Sequence, residues 1–203
     1  MKINTIITII LSSIVFLGCT KDGETELQKG ATFLFQEDFS DIKKIDLIDP
    51  SLKTKGWTNI AEIGTKKWTE GFFGGNGYGE FSSFQSGQVV NISWFISPAI
   101  DMDTQNNEKL LFQTAHSFLS SRDNTIELMI STDFNGSNFA SSNWQSVPAK
   151  VVTPDIKRFT FVDSGLVDIS SYTGKIHFAF RVKGGTAGAI DATFQIDNIK
   201  IIY

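Results

Sequence analysis

The sequence predicts an all-β protein: one β-sandwich domain behind an exported, lipidated leader. Three observations lead there. Short segments between residues 33 and 203 alternate apolar and polar side chains with period two, the mark of strands that bury one face. Gly, Asn, Asp and Ser separate these segments, and nothing beyond residue 32 reads as a helix of ordinary length. The apolar parity then switches within the last segment, which is how a bulged strand reads.

The chain opens with Lys2 and an apolar run from Ile6 to Phe16, interrupted only by Thr8, Ser12 and Ser13. A membrane-spanning helix needs about 20 apolar residues, so this run is too short and matches the core of a cleaved signal peptide. Phe16-Leu17-Gly18-Cys19 follows, a small residue before a cysteine, which is the lipobox pattern; Phe16 stands where Leu is usual. Residues 1–18 are therefore expected to be a lipoprotein signal peptide and Cys19 the lipidated first residue. An ordinary signal peptide with an unrelated cysteine is the alternative. Cys19 is the chain's only cysteine, so the lipidated protein would have no disulfide and no thiolate metal site.

Residues 19–31 read as a polar tether with too few apolar side chains to order itself. Lys21, Asp22, Glu24 and Glu26 make it mildly acidic. Such tethers resemble the surface-export signals of lipoproteins in the Bacteroidetes, so a surface-exposed outer-membrane lipoprotein is expected; a linker on the inner leaflet is the alternative. Residues 32–203 suffice for a single domain with a sizeable interior, supplied by most of the 18 Phe, four Trp and three Tyr. The net charge is −4, with 18 basic and 22 acidic residues, which gives nucleic acid no basic face.

Within that domain Phe33, Phe35 and Phe39 share a parity. Ile92, Trp94 and Ile96 alternate with Asn91, Ser93 and Phe95. Leu110, Phe112 and Thr114 begin another segment. Ile126, Leu128 and Ile130 alternate with Glu127, Met129 and Ser131. Ile176, Phe178, Phe180 and Val182 alternate with Lys175, His177, Ala179 and Arg181. The insert from Ile42 to Lys55 is the best helical candidate, but Pro50 cuts it to a short turn.

In the last segment Phe194 and Ile196 lie on even numbers, whereas Ile199, Ile201 and Tyr203 lie on odd ones. A β-bulge at Asp197-Asn198 accounts for the switch and re-aims an Asp. Glu37 shares the parity of Phe33, Phe35 and Phe39, so a carboxylate points toward the interior and must find a cation, donors or a proton. First and last strands often lie side by side in sandwiches. Glu37 and Asp197 would then share one cation, calcium with its oxygen ligands. A solvated strand end, or pairing of Glu37 with Arg158 or Arg181, are the other readings.

From Glu37 onward the order of motifs resembles the choice-of-anchor J domains, akin to the cleaved-adhesin modules of gingipains. The segments are Glu37-Asp38-Phe39, Gly56-Trp57-Thr58, Gly74-Gly75-Asn76-Gly77-Tyr78, Trp94-Phe95-Ile96-Ser97-Pro98-Ala99-Ile100-Asp101 and Ile130-Ser131-Thr132-Asp133-Phe134. Val167-Asp168-Ile169-Ser170-Ser171-Tyr172 follows ahead of Phe178-Ala179-Phe180-Arg181, and Ile196-Asp197-Asn198-Ile199 closes the domain. The resemblance implies a jelly-roll sandwich of the galactose-binding-like or MAM-like kind, adhesive or binding roles, and sometimes structural calcium. Carried over, that calcium falls on Glu37 and Asp197, with Asp38 a further ligand although its parity points outward. The insert between Glu37-Asp38-Phe39 and Gly56-Trp57 is longer than the family shows.

Catalytic arrangements are sparse. A sandwich glycosidase sets paired acids on one strand face, and no segment has an acid-x-acid pair inside a strand. Asp101 and Asp103 have that spacing but read as a turn. His116 and His177 read as structural, with no metal partner nearby and no G-x-S-x-G motif. Gly74 to Gly79 lacks the helix and the Lys-Ser/Thr of a phosphate loop, and reads as a flexible loop on the binding side. The expectation is a non-catalytic surface module that binds glycan or a host or matrix protein. Trp68, Phe73, Tyr78 and Trp144 are the candidate ligand-binding rings. A structural part of an envelope assembly, or a glycoside hydrolase, are the alternatives.

Overall fold

The computed structural model describes residues 32–43, 52, 54, 56–119, 121–186 and 191–203. The signal peptide, Cys19, the tether and most of the Ile42–Lys55 insert lie outside these residues. The alternating segments form strands where the sequence places them, joined by shorter ones. Among the described residues these are β1 (Phe33–Glu37), β2 (Thr58–Ile63), β3 (Thr69–Phe73), β4 (Asn76–Ser82), β5 (Asn91–Ile96), β6 (Ile100–Asp101) and β7 (Lys109–Ser117). They continue as β8 (Thr125–Ser131), β9 (Gln145–Val147), β10 (Val162–Asp163), β11 (Val167–Asp168), β12 (Lys175–Gly184) and β13 (Thr193–Ile202).

Two antiparallel sheets result. The first runs β10-β7-β13-β4-β3, with β1 also on β13 and β11 also on β7. The second runs β2-β5-β12-β8-β9, with β6 extending the pairing of β12. First and last strands are neighbours as expected: Glu37 faces Ile199 and Phe33 faces Ile202.

The bulge in β13 also falls where the parity changes. Its register against β7 shifts between Asp197 and Lys200, and Asn198 takes up the turn at φ 52°. In β1 the register shifts between Phe33 and Phe35, so the shared parity of Phe33, Phe35 and Phe39 does not translate into one buried face. Phe33 is exposed, whereas Phe39 leaves the strand at φ 50° and is buried.

The core lies between the sheets. Leu110, Phe112, Phe194, Ile196, Ile199 and Ile201 meet Phe95, Ile126, Leu128, Ile130, Phe178, Phe180 and Val182. At its centre Trp57 stacks on Phe95, with ring centroids 4.2 Å apart and planes 9° apart, while Trp68 and Phe39 tilt against the same ring. This explains two of the motifs: Gly56-Trp57 and Trp94-Phe95 carry the two rings that stack at the centre of the core.

Strand β5 departs from simple alternation. All six of its residues are buried: Phe95 faces the main core, and Ile92, Trp94 and Ile96 belong to a second apolar cluster on the other face. The glycine-rich segment also differs from the flexible loop expected. Gly74 and Gly75, at φ 62° and 90°, form the two-residue turn of a hairpin between Phe73 and Asn76. Gly71 and Gly77 sit in strands because neighbours approach too closely for a side chain. A Cβ on Gly71 would lie 2.0 Å from the Tyr78 ring, and one on Gly77 would lie 2.5 Å from the Phe39 carbonyl oxygen.

Replacing Phe95 with Ala removes a fully buried ring and its stack on Trp57. The expected cost is about 3–5 kcal/mol. Chemical denaturation checks it, and a loss below about 1 kcal/mol would contradict this picture of the core.

Candidate functional site

The second sheet cannot leave its outer face to water, because β5 places Ile92, Trp94 and Ile96 there. The segment between β8 and β9 folds back over it. Phe134, Phe139 and Trp144 close on Trp94, with Trp94–Phe139 centroids at 5.3 Å, Trp94–Trp144 at 5.1 Å and Phe134–Trp144 at 5.5 Å.

Polar clamps hold this segment in place. The Ser131 hydroxyl donates to Asp133 Oδ1 at 2.7 Å, and Asp133 accepts the Asn143 amide N–H (2.9 Å) and its side-chain Nδ2 (2.7 Å). Asn138 Nδ2 donates to the Asp133 carbonyl at 2.9 Å. The hydrogen bond from Ser131, then those from Asn143, hold the Asp133 carboxyl below its usual range. Ser131-Thr132-Asp133 thus works as the hinge pin of the Trp144 loop.

Where the cover ends, a cleft of about 740 Å³ remains. Trp94, Trp144, Phe139 and Met129 form its apolar wall, and Glu62, Glu127 and Arg181 its charged part. Arg181 lies opposite Trp94 on one side and Glu127 on the other, so the pairing register sets all three on one face. Its Nη1 donates to Glu127 Oε2 at 2.7 Å, its Nε lies 3.7 Å from Glu62 Oε2, and its guanidinium sits 5.6 Å from the Trp94 ring centre.

Glu62 reaches this array through a bulge. Ala61 faces Ser93 and Ile63 faces Ile92, which leaves Glu62 as the extra residue. Its Oε2 accepts the Trp94 indole N–H at 2.6 Å. Each carboxylate is therefore held through one oxygen, and Oε1 of each has no hydrogen-bond partner among the described residues.

Of the four rings singled out in the sequence, only Trp144 lies in this cleft. Trp68 is a correction: it is fully buried, against Phe81 and Phe95, with its backbone bonded both ways to the Asn59 amide. A ligand has no access to it. Phe73 and Tyr78 do meet, but on the opposite sheet. They line a groove of about 450 Å³ with Phe72, Phe159, Phe161, Asn76 and Gln195. Phe73 is 79% exposed at the hairpin tip, while Tyr78 lies over Gly71 and packs edge-on against Phe161 at 6.2 Å. Burial, then the charge of Glu80, pushes the Tyr78 phenol up to about 12.

Glu37 and Asp197 are brought close enough to feel each other. Burial first of all raises the Glu37 carboxyl, and Asp38, Asp41 and Asp197 add to the rise, while the Phe39 amide donating to Oε1 at 2.8 Å opposes it. Asp197 is buried and likewise raised; its oxygens accept Asn76 Nδ2 (2.8 Å) and the Asn198 amide (2.7 Å). Asp38 instead turns back on its own strand end, where bonds from the Ser40 side chain and amide, then from Gln36, lower it. Neither arginine considered for Glu37 reaches it, since Arg181 pairs with Glu127 and Arg158 lies over Phe118. Among the described residues no group of three or more His, Cys, Asp and Glu side chains is arranged to hold a metal ion.

Asp101 ends β6, opposite Lys175, and Asp103 lies in the turn that was expected for both. Asp101 accepts the Asp103 amide and Asp103 accepts the Gly174 amide. His177 is anchored through Nδ1 to the Ser97 carbonyl at 2.7 Å and lies edge-on to Phe134; His116 is buried, with Nε2 against the Ile156 carbonyl. The cleft residues that sequence reasoning missed are Trp94, Glu62, Glu127 and Arg181. The polar parity of Glu127 and Arg181 marks their face as outward, but nothing local marks it as a site.

No protein-family model matches the chain, and no curated protein matches it in sequence. Among solved structures it is similar to a cleaved adhesin domain of Lys-gingipain from Porphyromonas gingivalis. That match has a TM-score of 0.51 and 16% identity, over 85% of this chain and 100% of that one. A second cleaved adhesin domain of the same protein gives 0.47 and 18% identity, over 82% and 96% of the two chains. A xylan-binding domain from Paenibacillus barcinonensis gives 0.44 and 14%, over 83% and 98%. At such identities the likeness is one of fold, and that fold is the jelly-roll sandwich of two antiparallel sheets expected from the sequence.

Proposed function

We propose that this chain is a non-catalytic binding module whose outer cleft on the second sheet takes a glycan. One observation carries the reading: a half-buried Trp144 beside Phe139 stands next to a fixed array of carboxylate, guanidinium and carboxylate, in a cleft of about 740 Å³. Sugars present apolar ring faces and vicinal hydroxyls; aromatic rings suit the first, and planar polar groups that both donate and accept suit the second. Arg181 keeps N–H donors beyond its bond to Glu127, and the Oε1 atoms of Glu62 and Glu127 serve as acceptors.

A protein ligand is a second reading, favoured by the groove of Phe73, Tyr78, Phe159 and Phe161 on the other sheet, where aromatic side chains dominate the lining. The proposal further includes membership of the choice-of-anchor J domains, on the strength of the motif order, and attachment to the outer membrane through a lipid on Cys19, exposed at the cell surface. It also includes a structural calcium held by Glu37 and Asp197, with Asp38 at its edge. Support for calcium comes from two carboxylates raised by burial, with Asp197 adding to the rise of Glu37 and Asp38 to that of Asp197, and from oxygen chemistry that suits this cation.

Titration calorimetry of the full-length protein against a panel of polysaccharides tests the first claim. Trp144→Ala should weaken any binding at least about tenfold, the loss of roughly one stacked ring; turnover of a polysaccharide by the wild type would overturn the non-catalytic reading. Labelling with a palmitate analogue should require Cys19, and membrane association that survives Cys19→Ser would refute the anchor. Added calcium should raise the melting temperature in a concentration-dependent manner that Asp197→Ala abolishes. Melting that is indifferent to excess chelator would remove calcium from the proposal.

A further inference from the structure

Charge in the cleft carries a prediction about which glycans it admits. Resting on the glycan reading, we infer that the cleft selects uncharged glycans and rejects those bearing uronate or sulfate groups. The ionisable side chains lining it are Glu62, Glu127 and Arg181, two negative charges against one positive. The single guanidinium is already committed: it donates to Glu127 at 2.7 Å, lies 3.7 Å from Glu62, and covers the Trp94 face at 5.6 Å. Recognition of an anionic sugar rests on a cation whose paired N–H groups are open to a carboxylate or sulfate in a fork. Here that fork is occupied on one side, and an incoming anion would enter the field of two carboxylates beside the rest of Arg181.

The wall offers no relief, because the faces of aromatic rings such as Trp144 and Phe139 carry negative potential and repel anions. Neither Ser142 nor Ser146, the remaining polar lining residues, adds charge. A neutral sugar has no such conflict. Its hydroxyls donate to the Oε1 atoms and accept from the unused Arg181 N–H groups, so the excess of acceptors in the cleft becomes useful.

The test compares binding of neutral probes (galactomannan, starch, xyloglucan) with anionic ones (polygalacturonate, a sulfated glycosaminoglycan) to the full-length protein in detergent. At low ionic strength the anionic probes should bind at least about tenfold more weakly than the best neutral one. The gap should narrow at high salt, where charges are screened over about 3 Å at 1 M rather than about 10 Å at 0.1 M. The Glu62→Gln/Glu127→Gln double variant keeps an acceptor for Trp94 and Arg181 and should bind the anionic probes more tightly than the wild type. Anionic probes that bind wild-type protein as well as neutral ones, or a gap that salt leaves unchanged, would overturn the inference while leaving glycan binding intact. Failure of every probe of either kind would instead overturn the glycan reading and this inference with it.

Discussion

A strand that is apolar on both faces cannot sit at the surface of a two-layer sandwich. That is the constraint set by β5, with Phe95 toward the core and Ile92, Trp94 and Ile96 on the other side. Leaving such side chains in water would forfeit about 1.5–3 kcal/mol each. The cover has to come from chain outside the sheets, and the segment from Phe134 to Trp144 supplies it. Ordering a loop costs roughly 1–2 kcal/mol per residue in backbone entropy. The closely bonded net of Ser131, Asp133, Asn138 and Asn143 offsets part of that cost and fixes where the rings fall.

Burying Trp94 creates a second demand, since its indole N–H must find an acceptor away from water. The bulge in β2 answers it by bringing the Glu62 carboxylate to the N–H edge of the ring. A charge placed there calls for a countercharge, and Arg181 supplies it from β12, on the far side of β5, tied in turn to Glu127. The polar side of the cleft is thus the end of a chain of compensations that begins with an apolar residue. Its parts are fixed by folding itself, which is the preorganisation that recognition of a weakly hydrophobic ligand requires.

Period-two alternation made the long strands readable, because along β8 and β12 every second residue is buried in the main core, even where Ala179 and Ser131 are buried on the other face as well. The bulge at Asp197-Asn198 was equally readable, since a change of parity in an apolar run has few other causes. The site was much less so. Trp68 and Trp144 look alike in sequence, and only the packing of Phe81, Phe95 and Asn59 around the first makes it a core residue. The bulge at Glu62 leaves no parity signature, being fixed by its pairing with β5. Glu62, Trp94, Glu127 and Arg181 come from four strands, and their meeting depends on sheet order and register, which local pattern does not encode. The glycine-rich segment misled for a related reason: Gly74 and Gly75 supply the positive φ of a tight hairpin turn, and Gly77 answers to the Phe39 carbonyl pressing on the backbone, so they mark a fixed turn and a tight contact.

The pairing of β1 with β13 has a consequence for the order of events in folding. Hairpins such as β3–β4 close over a two-residue turn and form in about 1–10 μs. By contrast, β1 has its partner at the far end of the chain, in the ten residues of β13. Joining them bears the closure entropy of the whole domain, the kind of non-local contact that moves folding from microseconds toward milliseconds to seconds. During synthesis from the amino end, the first strand to emerge is among the last to find its place. A chain interrupted before Thr193 holds a second sheet with every strand present, but a first sheet that lacks the strand to which β1, β4 and β7 all bind.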